Sequence, residues 1–282
     1  MNATELDFER ENMKQSMKRI AEALVQRGMN IPGLGLLKGK MGVVIFFYHY
    51  ARFTGDKSYA EHAMKLMDMI QEQLLVMDPK TGYADGLAGI GAAIEYLVQN
   101  HFIEGDTDEI LEDFDSHIFK ATIFGDHADC SLSTGITGLG RYLLFRIAGN
   151  DANDEHVSTL DNKMLLIQIT DIVDRKLSCL KETEIDDVFD FLLEMNRINI
   201  YPVKIKRMLS HCSFDCSLKK QDDRIRIRRE KMERLYQDAY AKYLSEIQQG
   251  TRTDKDDGNL SGTGLYLLSQ LDKQHETWMK LL

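Results

Sequence analysis

The sequence predicts an all-α repeat protein. Three observations carry that prediction: a glycine-spaced motif that recurs, helical apolar periodicity between its copies, and a composition rich in helix formers. The fullest copies read Gly86-Leu-Ala-Gly89-Ile-Gly91 and Gly135-Ile-Thr-Gly138-Leu-Gly140, each leading into an apolar run. An earlier copy, Gly39-Lys-Met-Gly42, lacks the third glycine, and a late one, Asn259-Leu-Ser-Gly262-Thr-Gly264, opens on asparagine. Copies starting at 39, 86 and 135 are 47 and 49 residues apart, a period typical of stacked helical or propeller units. The last copy lies 124 residues beyond the third. Only three prolines occur, against abundant Leu, Met, Glu, Lys and Ala.

Taken in order, residues 4–28 read as an amphipathic helix on Leu6, Met13, Met17, Ile20 and Leu24, stopped by Gly28 and Pro32. The run Val43-Val-Ile-Phe-Phe-Tyr-His-Tyr50 has strand-like residues. Its aligned counterparts after Gly91 and Gly140 carry Ala, Leu and Arg over longer stretches, which favours helix. A helix apolar around most of its circumference is buried on more than one side, so these are inner helices. Each is followed by an amphipathic outer partner. Asp56 caps one bearing Ala60, Met64, Met67, Ile70 and Leu74, and Asp106 with Glu109 opens one bearing Ile110, Leu111, Phe114 and Ile118. Residues 158–181 give a third, on Leu160, Met164, Ile167, Ile172 and Leu177.

The stretch 151–256 breaks this rhythm. Asp186 and Asp187 introduce a helix over Val188–Met195 without glycines, Tyr201-Pro202 marks a break, and residues 223–248 form a charged helix before a polar loop over 250–258. With clear repeats at 33–150 and 257–272, residues 1–282 read as one domain whose 151–256 region holds degenerate or shortened repeats.

A net charge of −10 argues against general nucleic-acid affinity, which depends on neutralising phosphates. Residues 201–234 nevertheless hold 11 Lys/Arg against 5 Asp/Glu, leaving 24 against 40 elsewhere. That tract reads as a solvated helix face opposite an acidic body. The polar first 20 residues, the absence of a bilayer-length apolar run and four cysteines in no framework spacing point to a cytoplasmic protein without a membrane span.

Glycine inside a helix costs up to about 1 kcal/mol relative to alanine, so two or three per copy need a local reason. Close approach of a neighbouring backbone, or a turn entering the helix, supplies one. A phosphate loop does not, because the order is not Gly-x-Gly-x-x-Gly and no Gly-Lys-Ser/Thr follows. The loops entering the inner helices form the candidate ligand-binding rim: Asp85, His127, Asp129, Cys130, Asp257 and Asn259, beside Lys38, Lys40 and Asp126. Helix capping alone accounts for most of these acidic and amide residues. His127 beside Asp129 and Cys130 is the richest cluster, with nothing in the sequence to pair a base with a nucleophile. His211-Cys212-x-x-x-Cys216 offers three zinc donors where a structural site needs four, and Cys179 follows an apolar series and reads as core.

The segments Gly82-Tyr-Ala-Asp-Gly-Leu-Ala-Gly-Ile-Gly91 and Ser131-Leu-Ser-Thr-Gly-Ile-Thr-Gly-Leu-Gly140 resemble the lanthionine synthetase C-like family. Gly35–Gly42 and Asn259–Gly264 match it more weakly, so the resemblance covers about 30–150 and part of the last 25 residues. It implies an α/α toroid of helical hairpins, commonly seven, and thioether-forming enzymes acting on precursor peptides. In these a zinc ion held by two cysteines and a histidine presents a thiolate. The ligands lie in a Trp-Cys-x-Gly-like and a Cys-His-Gly segment, and neither is here. Trp278 is the only tryptophan, no cysteine precedes a histidine, and His211-Cys212 runs in the reverse order. No zinc ligand or catalytic residue can be carried over, so no cofactor is expected. The chain is also shorter than a seven-hairpin member, and the gap falls where ligand-bearing repeats would lie. The expectation is a toroid, irregular in its C-terminal half, that serves a peptide-modification or peptide-handling system by binding peptide or a protein partner at its mouth. Alternatives are a helical-repeat interaction scaffold and a carbohydrate-active toroid using rim carboxylates.

Overall fold

The computed structural model describes residues 3–37, 39–149, 157–214, 230, 233–245 and 260–282. Every regular element among them is helical: α1 (Ala3–Arg27), α2 (Lys40–Thr54), α3 (Lys57–Val76), α4 (Leu87–Gln99), α5 (Thr107–Ile110), α6 (Glu112–Phe124), α7 (Ile136–Gly149), α8 (Val157–Lys176), α9 (Glu182–Arg197), α10 (Pro202–Phe214), α11 (233–245) and α12 (Leu260–Leu271), with short 3-10 turns. Contacts cluster into two compact units, Met1–Asp78 with Ile225–Leu282, and Pro79–Arg224.

In the first unit α2 is buried from Lys40 through Tyr50, which settles the strand-like run as an inner helix. It ends at Gly55, whose φ of 74° is the left-handed C-cap conformation that glycine adopts without strain. Asp56 then caps α3 by accepting from the Ser58 amide at 2.9 Å. Helix α3 packs on α2, α12 packs on α2, and α1 lies against α12. In the second unit α4 packs on α7 and α7 on α9, while α6, α8 and α10 lie against α4, α7 and α9 as their outer partners. Helix α9 starts at Glu182, four residues before Asp186, and stands where a fourth inner helix belongs.

The third glycine of each full copy receives an aromatic ring from a neighbouring inner helix. A Cβ on Gly91 would fall 2.5 Å from the Tyr142 ring, and one on Gly140 would fall 2.5 Å from Phe191. A Cβ on Gly264 would likewise strike Phe46. Tyr142 lies two residues after Gly140, and Phe46 holds the matching position of the first copy, so the interlock repeats in register. At the far end of these helices Arg146, fully buried, binds Glu95 at 2.5 Å, Asp108 at 2.7 Å and Asp115 at 2.8 Å, joining α4, α5, α6 and α7. Burial raises the Glu95 carboxyl, and the adjacent guanidinium works against that rise.

Several expected apolar faces are rotated. On α3 the buried positions are Ala63, Leu66 and Ile70, and Met64 is exposed. On α8 the core takes Leu165, Leu166, Ile169 and Val173 together with Thr159, Asn162 and Thr170, leaving Leu160 and Met164 in solvent. Polar side chains on the buried face hid it from a hydrophobicity count. Thr170 resolves its own burial by donating to the Leu166 carbonyl at 2.8 Å. Ile110 is exposed, and α5 gives way to α6 at Leu111. Cys179, expected in the core, is exposed in a 3-10 turn beyond the end of α8.

The packing makes two kinds of change testable, the first at glycines. Gly140→Val drives a branched side chain into Phe191 and should cost about 1–3 kcal/mol, read as a lower urea midpoint. Gly55→Ala, in open space but at positive φ, should cost about 1 kcal/mol. The second concerns the buried pair His49 and His275, whose Nδ1 atoms lie 2.8 Å apart between α2 and the C-terminal 3-10 turn. Burial, then His275 and Arg52, lower the His49 imidazole from 6.5 to about 3. Below pH 6.5 the unfolded chain binds a proton that the folded chain refuses. The associated stability is therefore complete above 6.5 and is lost as pH falls toward 3, by up to about 1.4 kcal/mol per pH unit. His49→Leu should flatten this part of a pH–stability profile.

Candidate functional site

The first amides of any α-helix lack intrahelical acceptors. In the glycine copies the preceding loop supplies them. The Lys40 amide donates to Gly33 at 2.9 Å, Leu87 to Lys80 at 2.8 Å and Ile136 to Asp129 at 3.1 Å, each to a carbonyl seven residues earlier. Such a loop folds back onto the residue before the helix. A Cβ at Gly39 would fall 2.5 Å from the Gly35 nitrogen, one at Gly135 2.5 Å from Ser131, and one at Gly86 2.8 Å from Gly82. The first glycine is therefore required by close approach at the helix entry.

Consequently Asp85 and Asp129 are not helix caps. Asp85, half exposed, pairs with Lys80 at 3.0 Å. Asp129 accepts from the Ser131 amide at 2.8 Å, the Ser131 hydroxyl at 2.9 Å and the Thr134 hydroxyl. Burial alone would raise its carboxyl, but the bonds from Thr134 and Ser131 outweigh that and hold it below the usual carboxylate range. The two loops touch, since the amides of Tyr83 and Ala84 donate to the Ser133 carbonyl at 3.0 and 2.9 Å. Lys80, Asp85, Asp129, Ser131, Ser133 and Thr134 thus occupy adjoining loops at the entry to α4 and α7.

His127 is not part of this cluster's bonding. Its Nε2 donates to the Thr122 carbonyl of α6 at 2.9 Å. Cys130 is buried, its amide donating to Glu184 Oε1 at 2.8 Å and its carbonyl accepting from Thr137 at 2.8 Å. Burial, followed by the Glu184 charge, pushes the thiol up to about 11. Asp257, Asn259, Lys38, Cys216 and the side chain of Cys212 lie outside the described residues.

Glu184 is absent from the sequence-based candidates, and Asp187 figures there only as introducing a helix. Glu184 Oε2 also accepts the Lys181 amide at 2.8 Å, while Asp187 Oδ2 accepts the Leu132 amide at 2.8 Å. These carboxylates of α9 suspend the 129–135 loop, which in turn holds the 80–86 loop through Ser133. The available signal was the period: Glu184 and Asp187 fall 49 residues after Gly135 and Gly138.

The description "Lanthionine synthetase C-like protein" belongs to a family whose sequence pattern matches residues 30–187, more than half of the chain. The chain belongs to the lanthionine synthetase C-like family. Among solved structures, this LanC-like chain is similar to one titled "Nisin cyclase", with a TM-score of 0.50 and 12% identity over 96% of this chain and 97% of that one. At that identity the likeness speaks for the fold, and the LanC-like protein is an all-α, α/α-toroid chain. No curated protein sequence matches it.

Zinc, which the family resemblance implies, does not fit the donors described. A zinc-bound sulfur must be a thiolate. Cys130 is a buried thiol with its neighbouring backbone bound to Glu184, and Cys179 lies exposed with its sulfur 3.3 Å from the Lys176 carbonyl. Among the described residues no three His, Cys, Asp or Glu side chains converge as metal ligands. A groove of about 550 Å³ between α8 and α10, lined by Asp174, Ser178, Arg207 and His211 among others, contains none of the predicted rim residues.

These environments predict thiol reactivity. In a Cys212→Ser, Cys216→Ser background at pH 8, a disulfide reagent should label Cys179 in the native protein. Cys130 should react at least about tenfold more slowly until denaturant is added.

Proposed function

We propose that this LanC-like protein works in a cytoplasmic peptide-modification or peptide-handling system. In this reading it binds peptide or a protein partner at the rim without a zinc-dependent cyclase step. Family membership and fold support the peptide connection. What supports the non-cyclase part is the sequence, which holds neither the Trp-Cys-x-Gly-like nor the Cys-His-Gly segment, and the burial of Cys130 beside Glu184, which pushes its thiol up to about 11. The rim offers hydroxyls, one Lys80–Asp85 pair and the Asp129 carboxylate, a surface suited to the polar groups of an extended chain. Asp257 and Asn259 are retained as proposed members of the rim, and His127 as a lesser one.

The carbohydrate alternative gains no support from Asp129. A general acid needs a raised carboxyl, and the bonds from Thr134 and Ser131 hold this one low. The scaffold alternative places the partner elsewhere on the surface and predicts indifference to rim changes.

The test is capture of peptides from a randomised library by the full chain, with bound sequences then measured individually. Asp85→Ala with Lys80→Ala should weaken binding about tenfold or more while leaving the melting temperature within a few degrees. Binding unaffected by these exposed substitutions would refute the rim assignment. Stoichiometric zinc that Cys212→Ala and Cys216→Ala remove would refute the non-zinc assignment.

A further inference from the structure

The groove between α8 and α10 lies within the second unit and shares no residue with the rim. Its volume of about 550 Å³ falls in the range of small-ligand pockets, about 300–1,000 Å³. Leu177 and the fully buried Met208 supply its apolar part, and a methionine adapts to the shape of what it touches. Asp174, Ser178, Arg207 and His211 supply the polar part.

Two cations of α10 reach across to α8. Lys204 Nζ lies 2.7 Å from Asp171 and 3.0 Å from Asp174, while Arg207 Nη2 donates to both oxygens of Asp174 at 2.9 and 2.7 Å. Burial works to raise the Asp174 carboxyl, but the bonds from Lys204 and Arg207 outweigh it and hold the group below the usual carboxylate range. The acid in the groove lining is therefore already matched by two cations. Arg207 spends a single nitrogen on it. Its Nε and Nη1, the Ser178 hydroxyl and the His211 ring have no partner among the described residues. The two wall segments, 171–180 and 201–211, carry Arg175, Lys176, Lys204, Lys206 and Arg207 against Asp171 and Asp174. What the groove leaves unsatisfied is thus a set of donors beside a short apolar surface, and its complement is an anion with an apolar body.

We propose that this groove binds a small monocarboxylate, its carboxylate on Arg207 and its apolar body against Leu177 and Met208. A carboxylate matches the planar guanidinium and forms charge-assisted hydrogen bonds with it. Asp174 stays beside the same guanidinium, so a dianion such as phosphate would meet a fixed like charge, whereas a carboxylate brings one negative charge only. Ser178 and His211 add hydrogen bonds at the same end. A free aliphatic acid and the C-terminal residue of a peptide present this chemistry alike.

The test is NMR on the full chain with isotope-labelled methionine methyl groups, the Met208 signal being assigned through Met208→Leu. Titration with isocaproate should shift that signal saturably. Isocaproamide, equal in shape but uncharged, should bind at least about tenfold more weakly. Arg207→Met, at an exposed position where Lys204 still holds Asp174, should lower the isocaproate affinity to that of the amide with circular dichroism unchanged. Inorganic phosphate should not displace isocaproate, and Asp85→Ala with Lys80→Ala, in the rim, should leave its binding as it was. N-acetylated Gly-Gly-Leu with a free C-terminus separates the two sources. Binding as tight as that of isocaproate marks a peptide end as the ligand, and weaker binding marks a free acid. A Met208 signal that isocaproate leaves unmoved would overturn the proposal. So would an amide that binds as tightly as the acid, full affinity in Arg207→Met, or displacement by phosphate.

Discussion

Close backbone approach at the entry to the inner helices is the constraint on which the rest of this structure depends. The loop before each of α2, α4 and α7 must fold back far enough to satisfy the first helical amides, and only a residue without a Cβ allows that. The cost of glycine near a helix start is offset by bonds that would otherwise be left unmade. Fixing the loop in this way also fixes the rim. Asp85 and Asp129 sit on adjoining loops whose backbone carbonyls, those of Lys80 and Thr81 before α4 and of Asp129 before α7, rather than the two carboxylates, close the helix ends. The same motif then works a second time, one turn further along, where the third glycine makes room for a ring from the neighbouring inner helix.

Where the glycines stop, carboxylates take over. In α9 the positions of the first two glycines are held by Glu184 and Asp187, and that of the third by Phe189. A side chain now sits where a bare backbone sat before, so α9 cannot accept a folded-back loop of the same kind. Its carboxylates instead reach sideways to the amides of Cys130 and Leu132. Two buried or half-buried acids are thus accounted for by hydrogen bonding, which accepts several N–H donors readily. They leave Cys130 in surroundings that disfavour a thiolate. Cys130, near a histidine in sequence, is a packed thiol, and His127 bonds to α6 instead.

Much of the fold was legible because its signals were redundant. The apolar run of α2 resembled a strand by residue type, yet its alignment with Gly91- and Gly140-led runs fixed it as helix. The outer helices were legible in extent but less so in rotation. Helix α8 buries Thr159, Asn162 and Thr170 beside Leu165, Leu166, Ile169 and Val173, while Leu160 and Met164 of the expected stripe face water. The rim was legible as a set of loops, while the bonding within it was not. Whether Asp129 caps a helix or binds Ser131 and Thr134 depends on where the loop's carbonyls go, and residue types do not encode that. Glu184 carries no signal, and Asp187 reads only as introducing a helix, because their motif has lost the glycines that define it.

The central claim is that the rim is suspended from repeat to repeat, so that a change in α9 is felt in the loop before α4. Amide hydrogen exchange on Glu184→Gln with Asp187→Asn tests it most directly. The account predicts faster exchange at Cys130 and Leu132, which lose their charged acceptors. It also predicts faster exchange at Tyr83 and Ala84, whose amides bond to the Ser133 carbonyl and not to a substituted carboxylate. Loss of protection confined to Cys130 and Leu132, with Tyr83 and Ala84 unchanged, would contradict it.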